Sequence, residues 1–184
     1  MDRVNNIQTL GRMSKSLQHR GPDDSKTFEA IVREFPDVLF VQVGGAEEDV
    51  IRYKRYYKGY NNILFVPHQL DSVVAKYQMS AGVLFYALTK SNKLWKYTSP
   101  LKLFEYMATR RPILASDIGS VSEILNANNA VIYDPKSKDS IVRGLKFIMQ
   151  NRGHCMELSG QAYEEVKESY QWKHRANYIL GNLQ

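Results

Sequence analysis

The stretch that decides the fold is residues 98–108, which read TSPLKLFEYMA. Ser99 and Pro100 predict the start of a helix, because a serine hydroxyl can accept from a free backbone N–H one turn ahead and proline suits the first helical position. The predicted apolar face of this helix comprises three residues at helical spacing: Leu101, Phe104 and Ala108. The pattern therefore predicts a helix that begins at about residue 100 and packs on a sheet.

The charges of this helix point to an anionic ligand. Lys102 lies in the first turn, where a cation opposes the helix dipole unless a bound phosphate reverses the sign of the interaction. Glu105 lies one turn further on, and helical side chains lean toward the N-terminus. A carboxylate can accept two hydroxyl hydrogen bonds, as the diol of a ribose would require. Phosphate at the helix start and ribose one turn away would describe a nucleotide.

The sequence continues over residues 109–125 as TRRPILASDIGSVSEIL. The run 99–125 resembles the signature of retaining glycosyltransferases of family 4, within glycosyl transferases group 1. It is most similar to the bacterial branch that reads S-P-L-K-x-F-E-Y-M-A and then P-I-x-A-S-D. Residues 170–176, YQWKHRA, resemble the segment that opens the last helix of that family.

The resemblance implies that residues 1–184 are one nucleotide-sugar-binding domain, the C-terminal half of a two-domain GT-B enzyme. It also implies that the N-terminal, acceptor-binding half is absent here. Met1 stands close to the first predicted strand, as expected of an excised half. We assign no catalytic side chain to this domain, because the attacking hydroxyl belongs to an acceptor held by the missing one.

Strand and helix patterns alternate along the chain, which predicts an α/β fold with a doubly wound, Rossmann-like parallel sheet of about six strands. The predicted strands are 5–11, 38–43, 62–66, 81–87, 111–116 and 130–133. Besides the helix near residue 100, the predicted helices are 24–35, 47–58, 71–79, a short one holding Glu123, 137–151, 155–169 and 172–182. Asp24 or Ser25 is the expected cap of the first helix.

Other substrate-binding residues follow from the resemblance. The family carries Gly-Arg after its first strand, here Gly11 and Arg12, and then a basic residue before glycine, here Lys15 or Arg20. These contact the diphosphate of the donor, and Arg20 fits the residue order better. A solvated basic loop is the alternative explanation. The loop after the third strand lies beside the nucleotide base, which places Pro67 and His68 there unless His68 is merely structural.

The predicted substrate-binding set therefore has eleven members: Gly11, Arg12, Lys15, Arg20, Pro67, His68, Thr98, Ser99, Leu101, Lys102 and Glu105. Many members of the family carry a Glu eight residues before the helix Glu, and this chain has Tyr97 there. Asp117 and Glu123 either face the site or serve as a helix cap and a first-turn acid.

Neither a metal nor a cofactor is expected. The chain lacks a D-x-D triplet and a His/Cys/Asp/Glu cluster with metal-ligand spacing. Gly44-Gly45 is not the G-x-G-x-x-G fingerprint, so we reject a nicotinamide dehydrogenase. Without a metal, the departing diphosphate needs hydrogen-bond donors fixed in advance. The candidate donors are Arg12, Lys15 or Arg20, the N–H groups at the start of the helix near residue 100, and Lys102.

The composition of the chain bears on its binding partners and its cellular location. The net charge of +6 favours anionic partners, and the single Cys155 fits a reducing compartment. No apolar run reaches the roughly 20 residues that span a bilayer. We therefore expect a cytoplasmic protein, with peripheral contact at the inner face of the membrane through the basic residues of segment 52–58. An exposed helix whose charges suit its own dipole is the plainer explanation of that segment.

The first functional hypothesis is a donor-binding domain for metal-independent, retaining transfer from a UDP- or GDP-sugar to a glycan or lipid-linked acceptor in cell-surface polysaccharide synthesis. The second is a non-catalytic partner subunit of a split, membrane-associated glycosyltransferase, joined through segment 52–58 and a last helix that exposes Ile179 and Leu183. A nucleic-acid-binding module rests on charge alone, so no nucleic-acid partner is expected.

Overall fold

The computed structural model of the chain describes residues 7–10, 22–88 and 101–181. Within these ranges the strands are β1 Ile7–Leu10, β2 Leu39–Val43, β3 Ile63–Val66, β4 Leu84–Tyr86, β5 Ile113–Ser116 and β6 Val131–Tyr133. The helices there are α1 Pro22–Glu34, α2 Glu47–Tyr56, α3 Asp71–Ser80, α4 Leu101–Met107, α5 Ser120–Ile124, α6 Lys138–Gln150, α7 Arg152–Ser169 and α8 Trp172–Gly181.

The strands form one parallel sheet in the order β3-β2-β1-β4-β5-β6. The chain builds outward from β1 to β3 and then returns to the other side of β1 with β4. The strand order therefore reverses between β1 and β4, which is where open parallel sheets form a ligand crevice at their carboxyl edge. The α/β fold with a doubly wound parallel sheet, predicted from the alternation of patterns, is confirmed.

Helices cover both faces of the sheet, and alternate residues of β5 show how. Leu114 belongs to a core shared with α1 and α6, whereas its neighbours Ile113 and Ala115 belong to a core shared with α4 and α5. Successive side chains of a strand point to opposite faces, so a strand between two helical layers needs apolar residues at every position. β2 is likewise buried from Phe40 to Val43, although one of these four residues, Gln42, is polar.

Two helices place apolar residues that recur at helical spacing against the sheet. Four such residues of α1 and its end are buried or half-buried: Phe28, Ile31, Val32 and Phe35. Ile141, Leu145 and Ile148 are buried in the same way on α6. The ends of the elements differ more. α1 begins at Pro22, ahead of its expected caps, and proline suits that first position. α7 begins at Arg152, directly after the single residue that separates it from α6.

The predicted apolar face of α4 is wrong at two of its three positions. Leu101 is 57% exposed and Ala108 is exposed, while the buried residues are Leu103, Tyr106 and Met107. Both sets have helical spacing, so the spacing alone does not determine which face of α4 is buried. Tertiary packing determines it, because α4 lies between the sheet and α7. Phe104 is half-buried and stacks on Tyr170 at 4.8 Å between ring centroids.

Candidate functional site

An open cleft of about 310 Å³ lies at the carboxyl edge of the sheet. Its walls come from the ends of β2 and β3, from α3 and from α4. The lining residues are Val43, Gly44, His68, Gln69, Asp71, Val74, Ala75, Gln78, Lys102 and Glu105. The structure thus brings together three of the predicted substrate-binding residues, His68, Lys102 and Glu105, although 34 positions separate the first two in sequence.

The turn after β2 shapes one side of this cleft. Gly44 and Gly45 adopt φ values of 104° and 107°, in the left-handed region that side chains disfavour. The Gly44 N–H still donates to the Val66 carbonyl at 3.0 Å, which keeps the ends of β2 and β3 together. Two successive glycines therefore turn the chain sharply and leave the adjoining backbone open toward the cleft.

Glu105 presents its carboxylate to the cleft and is half exposed. Its Oε2 atom lies 3.2 Å from Lys102 Nζ and accepts a hydrogen bond of 3.0 Å from Gln78 Nε2. Helical side chains lean toward the N-terminus, so the Glu105 carboxylate reaches back to Lys102, which lies one turn nearer the helix start. The carboxylate thus has two partners within the protein, while the Glu105 side chain stays half exposed.

Lys102 has a structural explanation alongside the functional one. Its side chain is 19% exposed, and the ion pair with Glu105 offsets the unfavourable position of a cation in the first turn of α4. An ammonium carries three N–H donors. The contact with Glu105 uses one direction, so Lys102 retains the capacity to donate to an anion in the cleft.

The loop after β3 contributes His68, which is exposed at the mouth of the cleft. Gln69 folds back over this loop, and its amide donates to the carbonyls of Pro67 at 3.3 Å and His68 at 3.0 Å. Pro67 is exposed and does not line the cleft. The loop is therefore ordered by its own side chain in the place where the resemblance put the nucleotide base.

The remaining predicted residues fall into two groups. Leu101 is exposed at the start of α4 and does not line the cleft. The other six lie outside the described residues: Gly11, Arg12, Lys15, Arg20, Thr98 and Ser99. Of the two open candidates, Asp117 accepts a hydrogen bond from the Ser122 hydroxyl at 2.7 Å beside the start of α5, and Glu123 is an exposed acid of that helix.

Sequence reasoning missed Gln78 and Gln69, both of which line the cleft. Gln78 is 5% exposed although α3 is a short surface helix. A polar residue on the buried side of a helix is a signal of a hydrogen-bonded partner. Only the approach of α3 to α4 identifies that partner as Glu105.

A smaller cavity, of about 150 Å³, lies at the opposite edge of the sheet. It is lined by residues that precede β4 and β5, including Gly82 and Arg111, and by Arg152 and Met156 of α7. Parallel sheets bind ligands at their carboxyl edge, so the cleft beside Glu105 is the stronger candidate.

The basic end of α2, within segment 52–58, lies on the side of the sheet away from the cleft. A helix that follows a parallel strand runs back along the sheet, so its end lies toward the opposite edge.

The described part of the chain shows neither a metal site nor a membrane-spanning helix. No group of three His, Cys, Asp or Glu side chains there is placed to hold a metal ion. Among the helices of those same ranges, none combines the length and apolar character needed to cross a bilayer.

The strand order and the carboxyl-edge cleft define a Rossmann-like domain of the kind that binds nucleotides at its topological switch point. The sequence specifies the family: residues 13–165 match glycosyl transferases group 1, and the chain belongs to that family. No curated protein sequence matches this chain significantly.

Solved structures with the same fold include Anabaena HepE in complex with UDP and glucose, at TM-score 0.76 and 13% identity over 98% of this chain and 49% of that one. Sucrose-phosphate synthase from Thermosynechococcus elongatus has TM-score 0.73 and 17% identity over 100% of this chain and 45% of that one. The C-terminal domain of LpcC, a group 1 glycosyl transferase of Francisella tularensis, has TM-score 0.66 and 20% identity over 91% and 86% of the two chains.

The chain thus spans about half the length of HepE and of the synthase, and most of the isolated C-terminal domain of LpcC. At these identities the likeness concerns the fold.

Proposed function

We propose that this chain binds the nucleoside diphosphate of a UDP- or GDP-sugar and supplies the donor half of a retaining, metal-independent glycosyltransferase. The acceptor, a glycan or lipid-linked sugar in cell-surface polysaccharide synthesis, would be held by a second domain. The single observation that carries the proposal is the open cleft in which His68, Lys102 and Glu105 meet at the switch point of a group 1 domain.

Within this proposal, Glu105 accepts the ribose hydroxyls. Its carboxylate is held at one oxygen by Lys102 and Gln78, and the side chain is still half exposed to the cleft. A carboxylate fixed in advance loses little conformational entropy when a diol binds to it. His68, in the neighbouring loop that lines the cleft, would contact the base.

The diphosphate would lie toward the start of α4. Lys102 carries donors for it, and the backbone N–H groups of a helix start favour an anion. The family resemblance adds Arg12, with Lys15 or Arg20. Fixed donors of this kind stabilise a departing diphosphate without a metal, because they are already oriented when the negative charge develops.

The first prediction concerns Glu105. Replacement by alanine removes the ribose acceptor, and hydrogen bonds to a charged group contribute about 1.5–3 kcal/mol. We expect Glu105→Ala to weaken UDP or GDP binding by about 10- to 100-fold in isothermal titration calorimetry. Glu157→Ala, which removes an exposed acid on α7, is the control and should bind normally. Unchanged affinity of Glu105→Ala would remove Glu105 from the site.

The base and the sugar can be identified by a thermal-shift panel of UDP-, GDP- and ADP-sugars. A ligand that binds only the folded chain raises its melting temperature by mass action. The proposal expects one base to stabilise the chain more than the others. If no nucleotide of the panel changes the melting temperature, the chain does not bind a sugar donor.

The second candidate function is a non-catalytic partner subunit of a split glycosyltransferase. The observation that favours a partner surface is α8, which exposes Trp172 at 77% together with Ile179 and Leu180. Ile179 was one of the two residues predicted to be exposed on this helix, and the other, Leu183, lies outside the described residues. Both candidates need a second domain, and transfer activity separates them. Under the first proposal, joining this chain to an acceptor-binding domain yields transfer that Glu105→Ala abolishes. Under the second, Glu105→Ala leaves the activity of the assembly unchanged.

A further inference from the structure

Gln78 is the buried polar side chain that connects α3 to the cleft. It is 5% exposed, and its amide Nε2 donates to Glu105 Oε2 at 3.0 Å. Buried amides are almost always hydrogen-bonded, because a buried donor without an acceptor keeps its full desolvation penalty. The contact joins residues 27 positions apart and fixes the spacing between α3 and α4 at the cleft wall.

Both contacts of the Glu105 carboxylate fall on the same oxygen. Gln78 and Lys102 approach Oε2, and in the described part of the chain no hydrogen bond or ion pair involves Oε1. A carboxylate held at one oxygen cannot turn freely about its last bond, so the direction of the other oxygen is also set. One oxygen thus serves the protein, and the other remains available to a ligand.

We propose that Gln78 is a positioning residue, which acts on a bound nucleotide through Glu105 by holding Oε2 so that Oε1 faces the ribose hydroxyls. The inference rests on the proposed function and adds to it a residue outside α4 and outside the motif shared with the family. Gln78 is not required to touch the nucleotide.

The chemistry of an amide suits this role. Gln78 donates a hydrogen bond without adding a charge, so the carboxylate keeps its negative charge for the ribose while Lys102 stays available to phosphate. A carboxylate at position 78 would repel Glu105 at about the same distance, and an aliphatic side chain would release it. Position 78 therefore requires an uncharged hydrogen-bond donor of about the length of a glutamine side chain.

A double-mutant cycle tests the proposal, with the dissociation constant of UDP or GDP, whichever binds tighter, as the measured quantity. We expect Gln78→Leu alone to weaken binding about tenfold. In a Glu105→Ala background the same substitution should change the dissociation constant by less than about twofold, because there is no carboxylate left to position. An equal tenfold loss in both backgrounds would overturn the proposal, since Gln78 would then act directly on the nucleotide or through the fold.

Two further variants separate positioning from a general weakening of α3. Gln78→Glu keeps the volume of the side chain and should weaken binding at least as much as Gln78→Leu. Val73→Ala loosens the same helix at a half-buried position outside the cleft and should leave affinity within about twofold. An affinity loss in Val73→Ala equal to that of Gln78→Leu would overturn the positioning role. Normal binding by Glu105→Ala would instead refute the proposed role of Glu105.

Discussion

Tyr106 lies next to Glu105 on α4 but points into the core rather than the cleft. Its side chain is fully buried, and its hydroxyl has no hydrogen-bond partner among the residues that the structure describes. Burial raises the pKa of Tyr106 far above its usual value, and the nearby Glu105 and Tyr86 add to that shift. Adjacent residues of α4 therefore face different environments: Glu105 faces the polar cleft, and Tyr106 faces the apolar core.

This burial predicts a loss of stability at alkaline pH. Tyr106 keeps its proton in the folded chain, while an unfolded tyrosine ionises near pH 10. Its contribution is complete below about pH 10 and declines as pH rises above that value, because the unfolded state then releases a proton that the folded state retains. Urea unfolding between pH 8 and 11 should therefore show a smaller decline for Tyr106→Phe than for the parent chain.

The control for this prediction is Tyr56→Phe, which changes an exposed tyrosine. The free energy of unfolding of Tyr56→Phe should change with pH as that of the parent chain does. At pH 8 the Tyr106→Phe chain should be as stable as the parent or up to about 1 kcal/mol more stable, since it removes a buried hydroxyl that has no hydrogen-bond partner among the described residues. A strong destabilisation at pH 8 would mean that the hydroxyl has a partner.

The end of α4 depends on Arg110, whose φ of 54° is in the left-handed region that glycine usually fills. Its guanidinium lies 3.9 Å from the centre of the Tyr163 ring and donates to Glu164 at 3.0 Å. The Ser159 hydroxyl donates to the Arg110 carbonyl at 3.2 Å. α7 therefore holds the turn in a strained conformation through three contacts.

Two substitutions distinguish the effect of backbone strain at Arg110 on stability from the effect of its side-chain contacts. Arg110→Ala keeps the backbone strain and loses the stacking and the ion pair, so we expect a destabilisation of about 1 kcal/mol. Arg110→Gly loses the same contacts but relieves the strain, so it should be more stable than the alanine variant by about 1 kcal/mol. Chemical denaturation of both variants measures the difference. Equal stabilities would show that the turn stores no strain.

The α6 helix approaches the sheet closely at Gly144. A Cβ at this position would lie 2.6 Å from Leu114 Cδ1, and Leu114 is fully buried in β5. Although alanine favours a helix by about 1 kcal/mol over glycine, overpacking a core costs about 1–3 kcal/mol. We expect Gly144→Ala to lower the free energy of unfolding by about 1 kcal/mol.

Gly160 on α7 offers a matched comparison, because a Cβ there would meet nothing within 4 Å. Gly160→Ala should therefore stabilise the chain by up to about 1 kcal/mol through helix propensity alone. Thermal unfolding of the two variants should shift in opposite directions. A stabilised Gly144→Ala would show that α6 can move away from β5 at little cost.

The charge of the whole chain bears on its ligand. A net charge of +6 attracts anions, and the attraction weakens as salt shortens the Debye length from about 10 Å at 0.1 M to about 3 Å at 1 M. We expect the dissociation constant of UDP to rise several-fold between 0.05 and 0.5 M NaCl. Uridine, which lacks the diphosphate, is the control and should bind weakly at both concentrations. A salt-independent UDP affinity would contradict charge-assisted recognition of the diphosphate.

The sequence by itself determined the order of the elements and the class of fold. Nearly unbroken apolar runs such as 39–43 suit a strand buried on both faces, and the pair Gly44 and Gly45 allows the sharp turn that follows it. The motif around Lys102 and Glu105 likewise specified the family that residues 13–165 match. These features are local, so a pattern of neighbouring residues carries them.

Only the tertiary structure decided which side of α4 is buried and what holds Glu105. Two sets of α4 residues share the helical period, and packing between the sheet and α7 buries Leu103, Tyr106 and Met107. Gln78 reaches Glu105 because the parallel order of β1 to β4 brings α3 beside α4. Such contacts join residues far apart in the chain, and the spacing of side chains along one helix does not specify them.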